Sequence, residues 1–224
     1  MKRIVIVPAG GKGVRSGFKK PKQFVKVKGK ELIVYSLETF QNNKSVDMII
    51  VSADRAYFRL LESIKKKYGL NKITGFVEGG KERQDSVYNA LSSVKADKND
   101  LIIVHDAARP LLPAKVLTNA IRTAQMKGNA VVCIQGNNTL IRGRNYVEEY
   151  IPRDDVYYVQ TPQIFRYGDI MKAMRKAYKD NFYGTDESML IKRIGRKVNI
   201  TGGSGLNFKV TTKEDFRLFE SLVQ

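Results

Sequence analysis

The chain has 224 residues, 42% of them hydrophobic, and its 40 lysines and arginines against 22 acidic residues give a formal net charge of +18. That length and apolar content can bury a core without a disulfide scaffold, and the lone Cys133 excludes one. No apolar run reaches the ~18 residues of a membrane span and no signal-peptide order opens the chain, so one cytoplasmic domain over residues 1–224 is expected.

The first predicted strand, residues 3–7, runs into Pro8-Ala9-Gly10-Gly11-Lys12-Gly13-Val14-Arg15-Ser16-Gly17. Glycine lets the backbone approach a ligand closely and adopt positive φ, so successive N–H groups can converge on anionic oxygens while Lys12, Arg15 and Lys22 supply charge. A Walker loop is excluded because Lys12 is followed by Gly13 rather than Ser or Thr. Gly11, Gly13 and Gly17 also miss the spacing of a dinucleotide fingerprint, which argues against NAD. The bland alternative is a strand-to-helix turn with surface lysines.

Further strand-like runs lie at residues 48–52, 74–78, 101–104, 130–134 and 198–201. Helical patterns alternate with them at 31–40, 55–68, 84–94, 114–126, 167–178 and 187–194. Strand followed by helix, repeated this often, predicts an open α/β fold with a mostly parallel sheet covered on both faces. Residues 135–152 break the alternation and read as a projecting β-hairpin. Cys133 sits inside Ala-Val-Val-Cys-Ile and reads as a buried strand residue.

In such folds ligands bind beyond the carboxyl ends of the strands. The segment Gly79-Gly80-Lys81-Glu82-Arg83-Gln84-Asp85-Ser86 follows the third strand, and His105-Asp106-Ala107-Ala108-Arg109-Pro110 follows the fourth. Each has a structural alternative: a capped helix start for the first, and an Asp106 to Arg109 ion pair at the next helix for the second. His105 is the only histidine, so a multi-histidine metal site and histidine proton shuttling are excluded and it reads as structural. The basic residues are densest at 19–30, 65–67 and 192–197, with no RNA-binding aromatic signature, zinc spacing or recognition helix beside them. Their main consequence is a positive field that attracts polyanionic small molecules. A basic nucleic-acid-binding protein is the alternative from another class.

Taken together, in order and spacing, these motifs resemble the 2-C-methyl-D-erythritol 4-phosphate cytidylyltransferase family over about residues 4–219. The resemblance is carried by Pro8-Ala9-Gly10-Gly11 with Gly13 and Arg15, Pro21-Lys22-Gln23, Gly79 through Ser86 and Val104 through Pro110. Thr161-Pro162-Gln163, Thr185-Asp186-Glu187 and Asn207-Phe208-Lys209-Val210-Thr211 complete it. It implies a single-domain Rossmann-like nucleotidyltransferase fold and transfer of CMP from CTP to 2-C-methyl-D-erythritol 4-phosphate, a polyol phosphate, with release of pyrophosphate, in non-mevalonate isoprenoid synthesis. Arg15, Lys22 and Lys209 would then be catalytic cations around the triphosphate. Pro8, Ala9, Gly10, Gly11, Gly13, Gly80, Lys81, Ser86 and Ala107 would bind the nucleotide. Asp106, Arg109, Thr139, Arg153, Thr161 and Thr185 would bind the acceptor. The implied cofactor is Mg²⁺, held mainly by phosphates and water with Asp106 nearby.

The same resemblance implies a homodimer embraced through the arm at about residues 135–155, with Arg153 reaching the partner's site, and no specific nucleic acid or membrane partner. Relatives commonly carry Asp where Lys81 and Asn138 stand, an acidic residue where Leu206 stands, and Met where Ser16 stands. The changes at 138 and 206 remove carboxylates near the acceptor, which keeps ribitol 5-phosphate open as the alternative acceptor, since ribitol-5-phosphate cytidylyltransferases share most of these motifs.

Overall fold

In this computed structural model the described residues are 1–11, 18 and 20–223. In chain order the elements are β1 (Arg3–Pro8), β2 (Lys26–Val27), β3 (Lys30–Glu31), α1 (Leu32–Gln41), β4 (Met48–Ala53), α2 (Phe58–Lys67), β5 (Ile73–Glu78), α3 (Arg83–Ser93) and β6 (Leu101–Val104). The second half contains α4 (Ala114–Lys127), β7 (Asn129–Gln135), β8 (Leu140–Gly143), β9 (Val147–Ile151), β10 (Tyr157–Arg166), α5 (Tyr167–Lys179), α6 (Glu187–Arg193), β11 (Ile200–Gly202) and α7 (Lys213–Leu222).

Seven strands form one sheet in the order β11-β7-β10-β6-β1-β4-β5. β10 runs antiparallel to β6 and β7, and the remaining neighbours are parallel. Strand side chains alternate between faces with period two, and both faces are apolar here. Val5, Val7, Leu101 and Ile103 pack with α1, α2 and α4, while Ile4, Ile6, Ile102 and Val104 pack with α3, α5 and α6. This is the expected α/β sheet with helices on both sides. Cys133 is buried in β7, and burial pushes its thiol pKa up to about 11, so it is an inert core residue.

Four elements escaped the sequence reading: β10, the short pair β2 and β3, and α7. β10 carries Gln160, Thr161, Pro162 and Gln163 at its centre, a polar run interrupted by proline, which the pattern of a central strand disfavours. The register against β7 shifts between Val159 and Gln163, so this polar stretch coincides with an irregularity in the ladder. β2 and β3 are too short to register in a periodicity search, but Lys28 and Gly29 between them both take positive φ, as tight hairpin turns require. α7 did leave a signal: Thr212 and Asp215 form a reciprocal capping box at its start. Its Phe216 and Phe219 then pack with Leu32 and Val210 in a third apolar cluster.

The antiparallel strand fastens the end of β6 from beside it. The Asp106 backbone N–H donates to the Thr161 hydroxyl (3.1 Å), which contacts His105 Nδ1 (3.1 Å), while His105 Nε2 lies 3.1 Å from the Arg109 carbonyl. These contacts form one consistent chain if Nε2 carries the proton: Thr161 then donates to Nδ1, and Nε2–H donates to the carbonyl. His105 is completely buried against Phe40, and that burial lowers its pKa to about 4, so the ring is neutral.

An unfolded chain takes up this proton near the ordinary value of 6.5, whereas the native state does so only near 4. The unfolded state therefore binds more protons between these values, and stability falls as pH drops through that window. With no second histidine in the chain, the expected loss of unfolding free energy between pH 7 and pH 5 is roughly 2 kcal/mol. Urea titrations of the wild type and of His105→Asn measure it; the variant is expected to lack this slope, and identical pH dependence in the two proteins would refute the assignment.

Candidate active site

The carboxyl ends of β1, β5 and β6 open onto a cleft of about 360 Å³. Pro8, Ala9, Gly10 and Gly11 line it from the end of β1, with Gly80, Lys81 and Ser86 after β5 and Asp106, Ala107 and Ala108 after β6. Lys22 and Lys209 reach it from segments outside the sheet. The main chain is fixed on each side by ladder-like bonds: Ala9 N–H to the Ser52 carbonyl, Gly79 N–H to Ala53 and His105 N–H to Ile6. The first glycine segment is held from above as well. Gln23, 4% exposed, donates its amide to the carbonyls of Ala9 (2.5 Å) and Gly11 (3.0 Å). Its neighbour Lys22 begins a short 3-10 turn after Pro21, so the same turn that pins the loop brings the lysine to the cleft.

The second glycine pair has a steric origin. A Cβ on Gly80 would overlap that of Asp85 in the first turn of α3, so only glycine lets the loop close onto this helix. Gly80 N–H donates to the Ser86 hydroxyl (3.1 Å), and that hydroxyl in turn donates to the Glu82 carbonyl (3.2 Å). Glu82 and Asp85 form a capping box. The capped helix start read as the structural alternative is thus present, and the same residues also line the cleft.

Asp106 is the electrostatic centre. Its Oδ1 accepts from Arg83 Nε (3.0 Å), its Oδ2 accepts from Lys209 Nζ (2.8 Å), and Arg109 Nε stands 3.7 Å from Oδ2. Burial alone would raise its pKa, but the charges of Arg83, Lys209 and Arg109 outweigh it and hold the carboxyl well below the usual carboxylate range. Arg83 extends to a second buried carboxylate, Glu187 Oε1, at 2.7 Å. Burial keeps Glu187 above the ordinary carboxylate value, against the opposing pull of Arg83. Arg83 itself is raised, because Glu187 and Asp106 overcome its own burial. Three cations therefore face two carboxylates, a surplus of positive charge beside Lys22 and Lys81.

Lys209 reaches the cleft through irregular backbone. The segment is positioned by Val210 N–H donating to the Ala108 carbonyl (2.8 Å) and Arg109 Nη1 donating to the Asn207 carbonyl (2.7 Å). Asn207, fully buried, donates its amide to the Thr161 carbonyl (2.7 Å) and to Gln160 Oε1 (3.1 Å).

Of the acceptor residues expected from sequence, only Asp106 faces the cleft. Arg109 lies behind it, tied to Asp106 and Asn207. Thr161 is 4% exposed with its hydroxyl engaged by His105 and the Asp106 N–H, so it supports Asp106 and offers no free hydroxyl to the cleft. Thr185 is exposed, its hydroxyl directed to Met189 Sδ, and the helix cap is Asp186. Thr139 and Arg153 belong to the β8–β9 region, which forms its own two-stranded sheet and does not line the cleft of the same chain. Gly13 and Arg15 lie outside the described residues. Sequence reasoning gave no role to Gln23, Arg83 or Glu187, although each stands inside a quoted motif. Burial converts these ordinary polar residues into structural determinants, and burial is what a linear pattern of polar residues does not reveal.

The family model for IspD, 2-C-methyl-D-erythritol 4-phosphate cytidylyltransferase, matches residues 3–224. The chain is 38% identical to the 2-C-methyl-D-erythritol 4-phosphate cytidylyltransferase of Clostridioides difficile, covering 98% of this chain and 92% of that protein. It is 35% identical to that of Clostridium novyi, over 100% and 97% of the two chains. Among solved structures, the Francisella tularensis IspD superposes with a TM-score of 0.84 at 28% identity over the full length of both chains. The 4-diphosphocytidyl-2C-methyl-D-erythritol synthase of Anaerococcus prevotii superposes with a TM-score of 0.86 at 25% identity, covering 99% of this chain and 97% of that one. Fold, cleft and full-length similarity agree that this chain belongs to the 2-C-methyl-D-erythritol 4-phosphate cytidylyltransferase family.

Proposed function

We infer that this protein transfers CMP from CTP to 2-C-methyl-D-erythritol 4-phosphate, releasing pyrophosphate, in the synthesis of isoprenoid precursors by the non-mevalonate route. The observation that carries this reading is a cleft in which main-chain glycine segments from β1 and β5 face a net-positive cluster centred on Asp106, in a chain matched over residues 3–224 by that family. Ribitol 5-phosphate is not favoured as acceptor, because the family and the relatives above carry the methylerythritol name. Pyrophosphate release with CTP and each acceptor separates the two: turnover with ribitol 5-phosphate alone would reverse the assignment.

The chemistry asks for positioning and charge. A phosphate monoester is already anionic near neutral pH and can attack the α-phosphorus of CTP in line, so no protein nucleophile is needed. Nor is a histidine base, and the sole histidine is buried and neutral. In our reading the cytidine lies against Pro8 to Gly11, Gly80, Lys81, Ser86 and Ala107, and the Lys81 contact is made by its main chain, which is indifferent to the side chain there. Lys22, Lys209 and Arg15 neutralise charge that grows on the phosphates in the transition state. Asp106 and Arg109, with Thr161 behind them, orient the acceptor, and Thr185 borders it.

A divalent metal fits this site in one way only. Among the described residues no cluster of three metal-ligating side chains exists, so Mg²⁺ would be held by phosphate oxygens and water with at most Asp106 from the protein, the usual arrangement for this ion. When bound it would supply further positive charge to the triphosphate.

We read the chain as one nucleotidyltransferase domain that works in the cytoplasm as a homodimer through the arm at about residues 135–155. Among the described residues no helix is long and apolar enough to cross a membrane. The arm and the start of β10 expose Tyr146 (74%) and Tyr150 (68%) together with Ile141, Val147, Tyr157, Tyr158 and Val159. Exposed aromatic and aliphatic residues gathered on a two-stranded arm are what a second copy would cover. Thr139 and Arg153, which do not line their own cleft, would then serve that of the partner.

Lys22→Ala and Arg15→Ala are each expected to lower kcat by roughly 10²-fold or more with folding retained, as judged by steady-state pyrophosphate release and thermal melting. Wild-type turnover in either would contradict the role given to it. Arg153→Ala is expected to raise the acceptor KM, and mixing it with Lys22→Ala should restore part of the activity, since a mixed dimer can hold one intact site. Absence of complementation, or a monomer by sedimentation, would refute the arm's action in trans.

A further inference from the structure

Arg83 lines the cleft, yet the reading above gives it no contact with the base, the phosphates or the acceptor. Both ends of its guanidinium are taken: Nε by Asp106 Oδ1 at 3.0 Å and Nη1 by Glu187 Oε1 at 2.7 Å. The anchor is rigid. Glu187 is 2% exposed in its side chain and stands in the first turn of α6. That turn is fixed by Asp186 accepting from Met189 N–H and by Gln163 Oε1, from the centre of β10, accepting from Ser188 N–H (3.0 Å). On the other side Gln84, next to Arg83, accepts from Gly184 N–H (2.9 Å) and donates to the Phe182 carbonyl (3.2 Å), which ties the start of α3 to the loop before α6.

A planar guanidinium can bind two carboxylates at once in fixed directions; an ammonium lacks that preset fork. The consequence falls on Asp106. With Oδ1 occupied by Arg83, the other oxygen, Oδ2, faces Lys209 at 2.8 Å and Arg109 at 3.7 Å. Lys209 side-chain exposure of 39% leaves its ammonium accessible from the cleft, so the carboxylate is what sets where that charge sits.

We propose that Arg83, clamped by Glu187, is a positioning residue: it orients the Asp106 carboxylate so that Oδ2 holds the Lys209 ammonium in the cleft. The kinetic consequence rests on the cytidylyltransferase reading, whereas the clamp itself is a property of the free protein. A purely structural ion pair would, on breaking, lower stability and leave Lys209 and the kinetics of the folded enzyme as they were.

Two measurements on the full-length protein test it. In protein labelled with ¹⁵N-lysine, the Lys209 ammonium resonance, identified by its loss in Lys209→Arg, is expected to exchange slowly with water and to broaden or shift in Arg83→Met. A smaller change is expected in Glu187→Gln, whose amide oxygen still accepts from Nη1. In turnover, Arg83→Met is expected to lower kcat about 10- to 100-fold while changing the KM for CTP less than about threefold. In a Lys209→Ala background the same substitution should lower kcat by less than about threefold, because residues acting as a unit are not additive.

A Lys209 signal that is fast-exchanging in the wild type, or unchanged in both variants, overturns the proposal. So do kcat losses that multiply, or a loss confined to the KM for CTP, which would mark Arg83 as a direct nucleotide contact. If Arg83→Met does not fold, Glu187→Gln reads the same resonance. If the wild type transfers no CMP to methylerythritol phosphate, the cytidylyltransferase reading fails while the ammonium signal still decides the clamp.

Discussion

A single buried carboxylate joins the parts of this site. Asp106 stands just past the end of β6, yet its oxygens are shared by Arg83 at the start of α3 and by Lys209 and Arg109. Arg83 carries the connection on to Glu187 at the start of α6. The bonded partners lie up to 104 residues apart in sequence. An unpaired charge at this depth would be strongly unfavourable, so the segments must converge or each leaves a buried ion without a partner. The excess of cations over carboxylates survives the pairing, so the site is both compact and net positive.

Around that centre the fold divides its labour. The parallel strands β1, β5 and β6 deliver loops to the cleft, where the backbone itself forms the walls through Gly10, Gly11 and Gly80. The antiparallel β10 contributes polar side chains from within the sheet. Thr161 holds the Asp106 N–H and His105, Gln160 and the Thr161 carbonyl hold Asn207, and Gln163 holds the N-terminal turn of α6. A buried polar group is costly when left unbonded, and a network in which each residue is bonded to the next has few alternative arrangements. The polar centre of β10 is thus the frame that sets three otherwise separate segments around the cleft.

The positive charge has two scales of effect. At long range a formal +18 favours the approach of polyanions of any kind, and salt screens it. At short range, discrimination depends on a few cations with fixed geometry in a cleft of about 360 Å³. The first effect alone would suit a nucleic-acid binder; the second suits a small nucleotide.

The sequence by itself determined the parallel α/β core, because runs such as Leu101–Val104 are apolar on both faces and alternate with amphipathic helices. It also marked the loops of the cleft, since glycine pairs and the segment His105 to Pro110 fall directly after strands. Those signals are local and periodic, so they survive in one dimension. Only the tertiary structure decided that β10 is a strand, that Thr161 turns inward to His105, and that Arg83 and Glu187 belong to the site. Their identities are ordinary for surface residues; what distinguishes them is burial and a partner far along the chain. Both come into being only when the chain closes on itself.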